Sequence, residues 1–434
     1  MAHRYLLLIS GIFRNLNVMS RHFKIPYGDG FQELSVPENL YIKEIGKDYN
    51  DYYQSIDINN EIHNGDLHDF LAGVDRLLII INDHTRFTPS GEILTSLRDK
   101  IKALSDYEIL IATGAHRSPT KSELKLLLGA SYGDFKDKTR AHDSLDEKSH
   151  FPAGTISSGI DIHLDRAVEM FDNILVIGST EPHFFAGYTG GRKGIFPGVA
   201  LKSSIIANHV KAIDRDVQPL ELDNPIHRDM DEVIDLLEGK NIFSIQTVHN
   251  PDRSVAEIFC GGLRDSFEQA VGLARDLYVK ETDRRFDIVI AIITPPLDID
   301  LYQIQKGFEN TKFAVKPGGI CILVSQCRDG VGPDDWLKLS SRYDTPKQVL
   351  SNSQDAKMFG FHKLYRPARF MSRSRIFVVA DVEGYLIKSV FLTPKPNLQA
   401  AVDDAIKVSP PNPSILMVYD AAQNVIAVKQ TKSS

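Results

Sequence analysis

The chain has 434 residues, 42% hydrophobic and 25% charged, an ordinary globular balance at a length that suits two or three domains. A net charge of −7 argues against a polyanion-binding protein, which would carry a basic stripe, so no nucleic-acid partner is expected. Three cysteines exclude a disulfide scaffold, and no apolar run reaches the ~20 residues that a membrane span needs.

Residues 1–20 read as an accessory N-terminal arm. The apolar run Tyr5–Gly11 is too short to cross a bilayer and lacks a small-residue cleavage site, so no membrane partner is expected and the cytoplasm is the expected compartment. Cys260, Cys321 and Cys327 form no CxxC pair and read as reduced thiols.

Short apolar runs then follow in series: Arg76–Ile81, Glu108–Ala112, Asn173–Gly178, Asp287–Ile292, Ile320–Ser325, Arg375–Ala380 and Ser414–Tyr419. Continuous apolar runs with little alternation predict strands buried on both faces, hence a parallel sheet. Helical patterns fall between them, at Pro89–Ser105, Leu201–Ile213, His227–Glu238 and Asp265–Lys280. That alternation predicts α/β architecture, with largely parallel sheets flanked by helices. The charged segment Lys280–Asp287 marks the boundary. It divides an N-terminal cofactor-binding and catalytic domain, 21–282, from a C-terminal α/β domain, 283–434. The active site is expected in the cleft between them.

In open α/β sheets, ligands sit beyond the carboxyl ends of strands, so the segments after each strand carry the interest. The first is Asn82–Pro89, where Asp83, Thr85 and Arg86 concentrate in one turn. Arg86 could grip a carboxylate through its planar fork, or simply pair with Asp83 in a capped turn. The second is Thr113–Pro119, with His116 at the strand end. A histidine there suits general acid or base work, but alone it equally fits a satisfied structural role.

The densest segment is Ser179–Ala200, reading STEPHFFAGYTGGRKGIFPGVA. It combines Glu181, His183, Arg192 and Lys193 with five glycines. Glycines let a backbone approach a ligand closely, and the cations suggest a phosphate or carboxylate. It is not a P-loop, because Gly194 follows Lys193 where Ser or Thr is required. No G-x-G-x-x-G follows any strand, which weakens a nicotinamide dehydrogenase reading. The bland alternative is a flexible loop.

His209 falls in a helical pattern with no second histidine four residues on, so a zinc pair is not in prospect. A metal there would need ligands from elsewhere, including from a cofactor. Gln303 and Lys306 are three apart, so in a helix they would share a face and could hold a small acid; a solvated face is the other reading.

Taken together these segments are specific. DHTR at Asp83–Arg86, TGAHR at Thr113–Arg117, EPHFFAGYTGGRKGIFPG at Glu181–Gly198, Asn208–His209 and YQxxKG at Tyr302–Gly307 resemble the nickel-pincer lactate racemase family, in family order, from about Ile25 to the C-terminus. The resemblance implies a cofactor, the nickel complex of pyridinium-3,5-bisthiocarboxylic acid mononucleotide. Its sulfur–carbon–sulfur pincer grips nickel in a plane, and a protein histidine completes the square. By the match, His209 is the nickel ligand and Lys193 the attachment point, with Asp83 and Thr85 organising the turn and the cofactor. His116 and His183 match two bases, and Arg86, Gln303 and Lys306 match substrate-holding positions. The implied chemistry is racemisation or epimerisation of a 2-hydroxy acid. A histidine takes the hydroxyl proton while hydride moves to the cofactor, and hydride returns to either face of a planar 2-keto acid. Enzymes that make the cofactor are the implied partners in maturation.

One departure bears on substrate. Lactate-type members carry a tryptophan near the substrate in the later C-terminal region, whereas Trp336 falls too early here. The comparable stretch is Phe359–Arg366, with His362 as a candidate specificity residue beside Lys363. A polar pocket there would suit a sugar acid or dicarboxylate better than lactate. Two competing readings are a conventional nucleotide-dependent α/β oxidoreductase or phosphate-ester hydrolase, and a non-catalytic carrier of the pincer cofactor.

Overall fold

A computed structural model describes residues 19–47, 53–62, 65–214, 217–295, 297–358 and 360–429. The expected N-terminal arm lies outside these except for its last two residues, and so does Phe359. The architecture is α/β, with two six-stranded sheets flanked by helices.

The first sheet runs, edge to edge, Val255–Gly262, Asn241–His249, Asn173–Ser179, Arg76–Asn82, Asp106–Ala112 and Thr139–Ala141. Its pairings are parallel except for the Asn241–His249/Val255–Gly262 hairpin. The apolar runs explain the layering. In Arg76–Asn82, Leu77, Ile79 and Ile81 pack on one side with Ile93, Leu94 and Leu97 of the helix Ser90–Lys102. Leu78 and Ile80 face the other side, against Ile195, Phe196 and Val199 of the glycine-rich segment. A strand covered on both faces needs apolar residues at every position, which is why the run does not alternate.

The second sheet is parallel throughout: Thr393–Lys395, Arg375–Val379, Val315–Val324, Phe286–Ile292, Ile415–Val418 and Ile42–Ile45. The same two-sided logic holds. Val289 and Ala291 enter one core, and Ile288, Ile290 and Ile292 enter another.

The division expected at 282/283 needs amending at both ends, since Val279–Thr282 already pairs with Val425–Val428. Ile42–Ile45 is the edge strand of the second sheet, paired with Ile415–Val418. The hairpin Ser20–Tyr27/Gly30–Pro37 packs Ile25, Leu34 and Val36 against Ile288, Ile290 and Ile292 of that sheet. Residues 20–45 therefore complete the second half rather than opening the first. The cause is burial: a two-stranded hairpin cannot cover its own apolar face, and the second sheet offers one.

Helix ends also shift. The pattern at Leu201–Ile213 is an α-helix only over Lys202–His209, followed by a 3-10 turn Val210–Ile213. The helix expected at His227–Glu238 starts earlier, at Pro225, because Asn224 accepts from the N–H groups of Ile226 and His227 and proline occupies the first turn.

Candidate active site

The carboxyl ends of neighbouring strands in the first sheet supply the first group. Asp83 follows Arg76–Asn82 and is 3% exposed. Its Oδ1 accepts from the Thr85 hydroxyl at 2.7 Å and the Thr85 N–H at 3.1 Å. Its Oδ2 pairs with His116 Nδ1 at 2.7 Å. Burial opposes the carboxylate charge, but His116, Thr85 and Arg86 outweigh it and hold this carboxyl down at about 2. An ionised carboxylate can only accept, so Nδ1 of His116 carries a proton, and in the neutral ring Nε2 is the nitrogen with the lone pair. Arg86 does not pair with Asp83 through its side chain. Its Nη1 donates to Glu181 Oε1 at 2.7 Å, joining the Asp83 turn to the glycine-rich segment.

That segment folds back on itself through Pro182–His183 and Gly187–Tyr188, paired antiparallel. The short hairpin turns the backbone N–H groups of Phe185 and Ala186 onto His183 Nδ1, at 3.5 and 3.2 Å. With Nδ1 accepting, the neutral ring of His183 carries its proton on Nε2. Burial, then Lys193, Arg86 and Lys306, push its pKa well below the ordinary imidazole value, so the ring is neutral. Gly190 has φ +86°, and a Cβ there would lie 2.5 Å from Thr180 Oγ1 and 2.6 Å from Gln246 Oε1. Only glycine fits that turn. It delivers Lys193, whose ammonium is pushed well below its ordinary pKa by burial, Arg86 and Lys306.

His209 ends its helix with a buried Nδ1 that makes no hydrogen bond of ordinary geometry, its ring interacting weakly with the Ile205 backbone one turn earlier. Burial, Lys193 and His116 hold its imidazole down at about 3. The preceding Asn208 is tied to Asp229 Oδ2 at 2.8 Å, and Lys211 to the same carboxylate at 2.6 Å, so the end of the helix is braced on both sides of His209.

The second half closes the site. A narrow cavity is lined by Arg86, Glu181, His183 and Phe184 from one half and by Leu297, Lys306 and Asn310 from the other. Lys306 lies in the first turn of the helix Gln305–Thr311. Gln303 precedes that helix, so the two do not share a helical face as expected. Its N–H donates to Asp300 Oδ1 at 2.6 Å, and it does not line this cavity. Burial and Arg86 bring Lys306 down to about 8. Against the far side of Phe184 and Phe185 lies the helix His362–Met371. Lys363 sits 4.3 Å from the Phe184 ring centroid and donates to the Tyr302 carbonyl at 3.0 Å.

His183, Lys193, Arg86, Lys306 and His209 therefore fall in one electrostatic neighbourhood, with Asp83 and His116 at its edge. No group of three His, Cys, Asp or Glu side chains among the described residues could hold a metal. Three residues carry no role from sequence. Glu181 was visible in its motif, but its pairing with Arg86 spans 95 residues and leaves no local signal. Arg366 and Glu309, a buried pair behind Phe184, gave no signal either. Trp336 is wholly buried, edge-on to Tyr302 at 5.4 Å, and belongs to the core of the second half.

Comparisons with known proteins agree along most of the chain. Family models described as the lactate racemase N-terminal domain and the lactate racemase C-terminal domain match residues 27–219 and 282–426. The chain is 28% identical over 384 residues to a lactate racemase of Thermoanaerobacterium thermosaccharolyticum, covering 86% of this chain and 89% of the relative. It is 30% identical over 305 residues to a lactate racemase of Lactiplantibacillus plantarum, covering 68% and 70%. The lactate racemase apoprotein structure from T. thermosaccharolyticum superposes with a TM-score of 0.82 at 26% identity, over 94% of this chain and all of that one. A structure from Thermotoga maritima, at 19% identity and TM-score 0.65 over 84% of this chain and 96% of that one, shows a likeness of fold alone.

Proposed function

The chain belongs to the lactate racemase family, and from that premise we propose that it is an isomerase inverting the hydroxyl-bearing carbon of a 2-hydroxy acid. The observation that carries this reading is a pair of histidines prepared in opposite ways, His183 lining the cationic cavity and His116 on the neighbouring strand-end turn, paired with Asp83. His116, oriented by Asp83, presents an empty Nε2, whereas His183, held by backbone N–H groups, presents Nε2–H.

His116 is then the group ready to take the hydroxyl proton, with Asp83 stabilising the imidazolium that forms. His183 enters as a donor to the substrate oxygen, through the only ring nitrogen its backbone contacts leave open. Lys306 offers its ammonium to the substrate carboxylate, and Arg86, steadied by Glu181, adds a second cation. The substrate is thus oriented by charge, while Phe184 and Leu297 line the cavity walls and limit water.

The nickel-pincer nucleotide is part of the proposal, and its fit is tested on His209. A buried, neutral imidazole is the donor state that a metal requires, Nδ1 makes no hydrogen bond of ordinary geometry, and among the described residues no trio of His, Cys, Asp or Glu competes. Lys193 fits attachment, because the same burial favours the neutral, nucleophilic amine. When bound, that cofactor supplies the hydride acceptor and donor. Asp83 and Thr85 organise the adjoining turn, and enzymes that make the cofactor are the proposed maturation partners. A cytoplasmic setting accords with Cys260, Cys321 and Cys327 standing in no disulfide. Among the described residues no helix is long and apolar enough to cross a membrane.

The deciding experiment co-produces the protein with the cofactor-making enzymes and incubates it with a panel of chiral 2-hydroxy acids, including dicarboxylates and sugar acids. Chiral chromatography should show interconversion of at least one pair. Nickel-loaded protein that interconverts none would overturn the proposal.

A further inference from the structure

Arg366 lies on the helix His362–Met371 of the second half and is 3% exposed. A guanidinium has five N–H donors, and here each one is used. Nε and Nη2 form a two-pronged pair with Glu309, at 2.7 and 2.6 Å. The other three donors cross to the first half. Nη1 donates to the carbonyls of Ala212 at 2.9 Å and Val217 at 3.0 Å, and Nη2 donates to the carbonyl of Phe184 at 3.3 Å.

The choice of carbonyls is informative. Phe184 is the residue after His183, and Ala212 is three residues after His209. One side chain thus holds both histidine-bearing segments, at points where neither is in regular α-helix or sheet interior. Two neighbours on the same helix reinforce it. Arg369 donates to the Ile213 carbonyl at 3.3 Å, and the His362 ring lies 5.6 Å from that of Phe185, centroid to centroid. Lys312 donates to Glu309 Oε2 at 2.7 Å, so the carboxylate is itself fixed.

Stability alone does not account for such a cluster. Desolvating an ion pair commonly offsets its Coulomb gain, and an apolar replacement is often as stable. What a fully bonded fork provides is fixed geometry.

We propose that Arg366, braced by Glu309, is a positioning residue that sets the register of His183 and His209 by clamping both segments to the second half. The proposal rests on the assignment of those two histidines given above. It predicts that the two segments lose order together when the clamp is cut, although they are far apart in sequence.

The test compares the wild-type protein with Arg366→Met, Arg366→Lys and Glu309→Gln. Amide hydrogen exchange on the apoprotein, followed by mass spectrometry, reads local order without reference to turnover. Arg366→Met should raise exchange about tenfold in both 183–188 and 206–214, while the strands Arg76–Asn82 and Asn173–Ser179 keep their protection. Arg366→Lys retains charge but not the fork, so it should restore only part of the protection. Glu309→Gln keeps the packing and should give an intermediate loss, and it serves where Arg366→Met does not fold. In holoprotein, kcat on the best substrate should fall ~10²-fold with KM little changed, the scale expected when a reacting group shifts by about 1 Å. Unchanged exchange in either segment, or a loss spread equally over the central strands, would overturn the proposal. The exchange result stands by itself: a clamp confirmed in a protein that turns over no hydroxy acid would count against the proposed activity only.

Discussion

Replacing Asp83 with asparagine is the most searching single change, because one side chain sets both a stability term and the state of His116. Asp83 ionises at about 2 rather than 3.8, a depression of roughly two pKa units. At ~1.4 kcal/mol per unit that amounts to about 2 kcal/mol of folding stability for a carboxylate that is almost fully enclosed. The sign follows from the direction. A depressed carboxyl stabilises the fold fully above its unfolded pKa, near 4, and the contribution is lost as pH falls through about 2. Asp83→Asn should therefore cost about 2 kcal/mol at pH 7 but only about 1 kcal/mol at pH 3 in urea unfolding. Asparagine also cannot fix the His116 tautomer or stabilise its imidazolium, so kcat should drop by ~10²–10⁴-fold, the span of general-base catalysis. Equal stability losses at the two pH values would refute the linkage argument. A variant with kcat within about twofold of wild type would refute the role given to the Asp83–His116 pair.

Four further outcomes are expected. His209→Ala should abolish nickel in protein co-produced with the cofactor-making enzymes, as read by elemental analysis, while circular dichroism stays unchanged. Lys193→Ala should eliminate the cofactor mass adduct in intact-protein mass spectrometry, and an adduct of unchanged mass would refute that attachment point. Lys306→Ala should raise KM for the hydroxy acid by about 10–100-fold, the scale of one charge-assisted bond, with a smaller effect on kcat. Lys363→Met, which removes the cation behind Phe184 and its bond to the Tyr302 carbonyl, tests whether the polar stretch Phe359–Arg366 favours dicarboxylates and sugar acids, whose turnover should then fall relative to lactate. An unaltered preference across the substrate panel would remove Lys363 from specificity.

Legibility followed the range of the signal. The strands Arg76–Asn82, Asn173–Ser179 and Phe286–Ile292 were readable because burial on both faces demands an unbroken apolar run. His116 and His183 are legible because each follows such a strand within a few residues, and Lys193 because it sits among the glycines of Ser179–Ala200. Gln303 was misplaced relative to Lys306 because three-residue spacing implies a shared face only inside a helix, and that helix begins at Gln305. The Asn241–His249 strand has no such signature because its buried Ser244, Gln246 and Thr247 interrupt the apolar run. Those polar groups are present because Gln246 holds the glycine turn, accepting from the Gly191 N–H at 2.8 Å. The tie from Arg366 to Phe184 links residues 182 positions apart, and no local pattern encodes a contact of that span.

The edge strand Ile42–Ile45 has a consequence for how the two halves can move and be separated. The chain passes from the second sheet to the first after Ile45 and returns before Phe286, so two covalent tethers join the halves. A single tether permits swivelling in any direction, whereas two favour opening about the line between them, so closure over a substrate should resemble a door more than a ball joint. The same strand also guards an exposed edge. A fragment beginning at residue 283 would leave Ile415–Val418, a wholly buried strand, with one row of unpaired N–H and C=O groups. Such a fragment would offer a template for pairing between copies, and it should aggregate unless residues 20–45 are supplied with it.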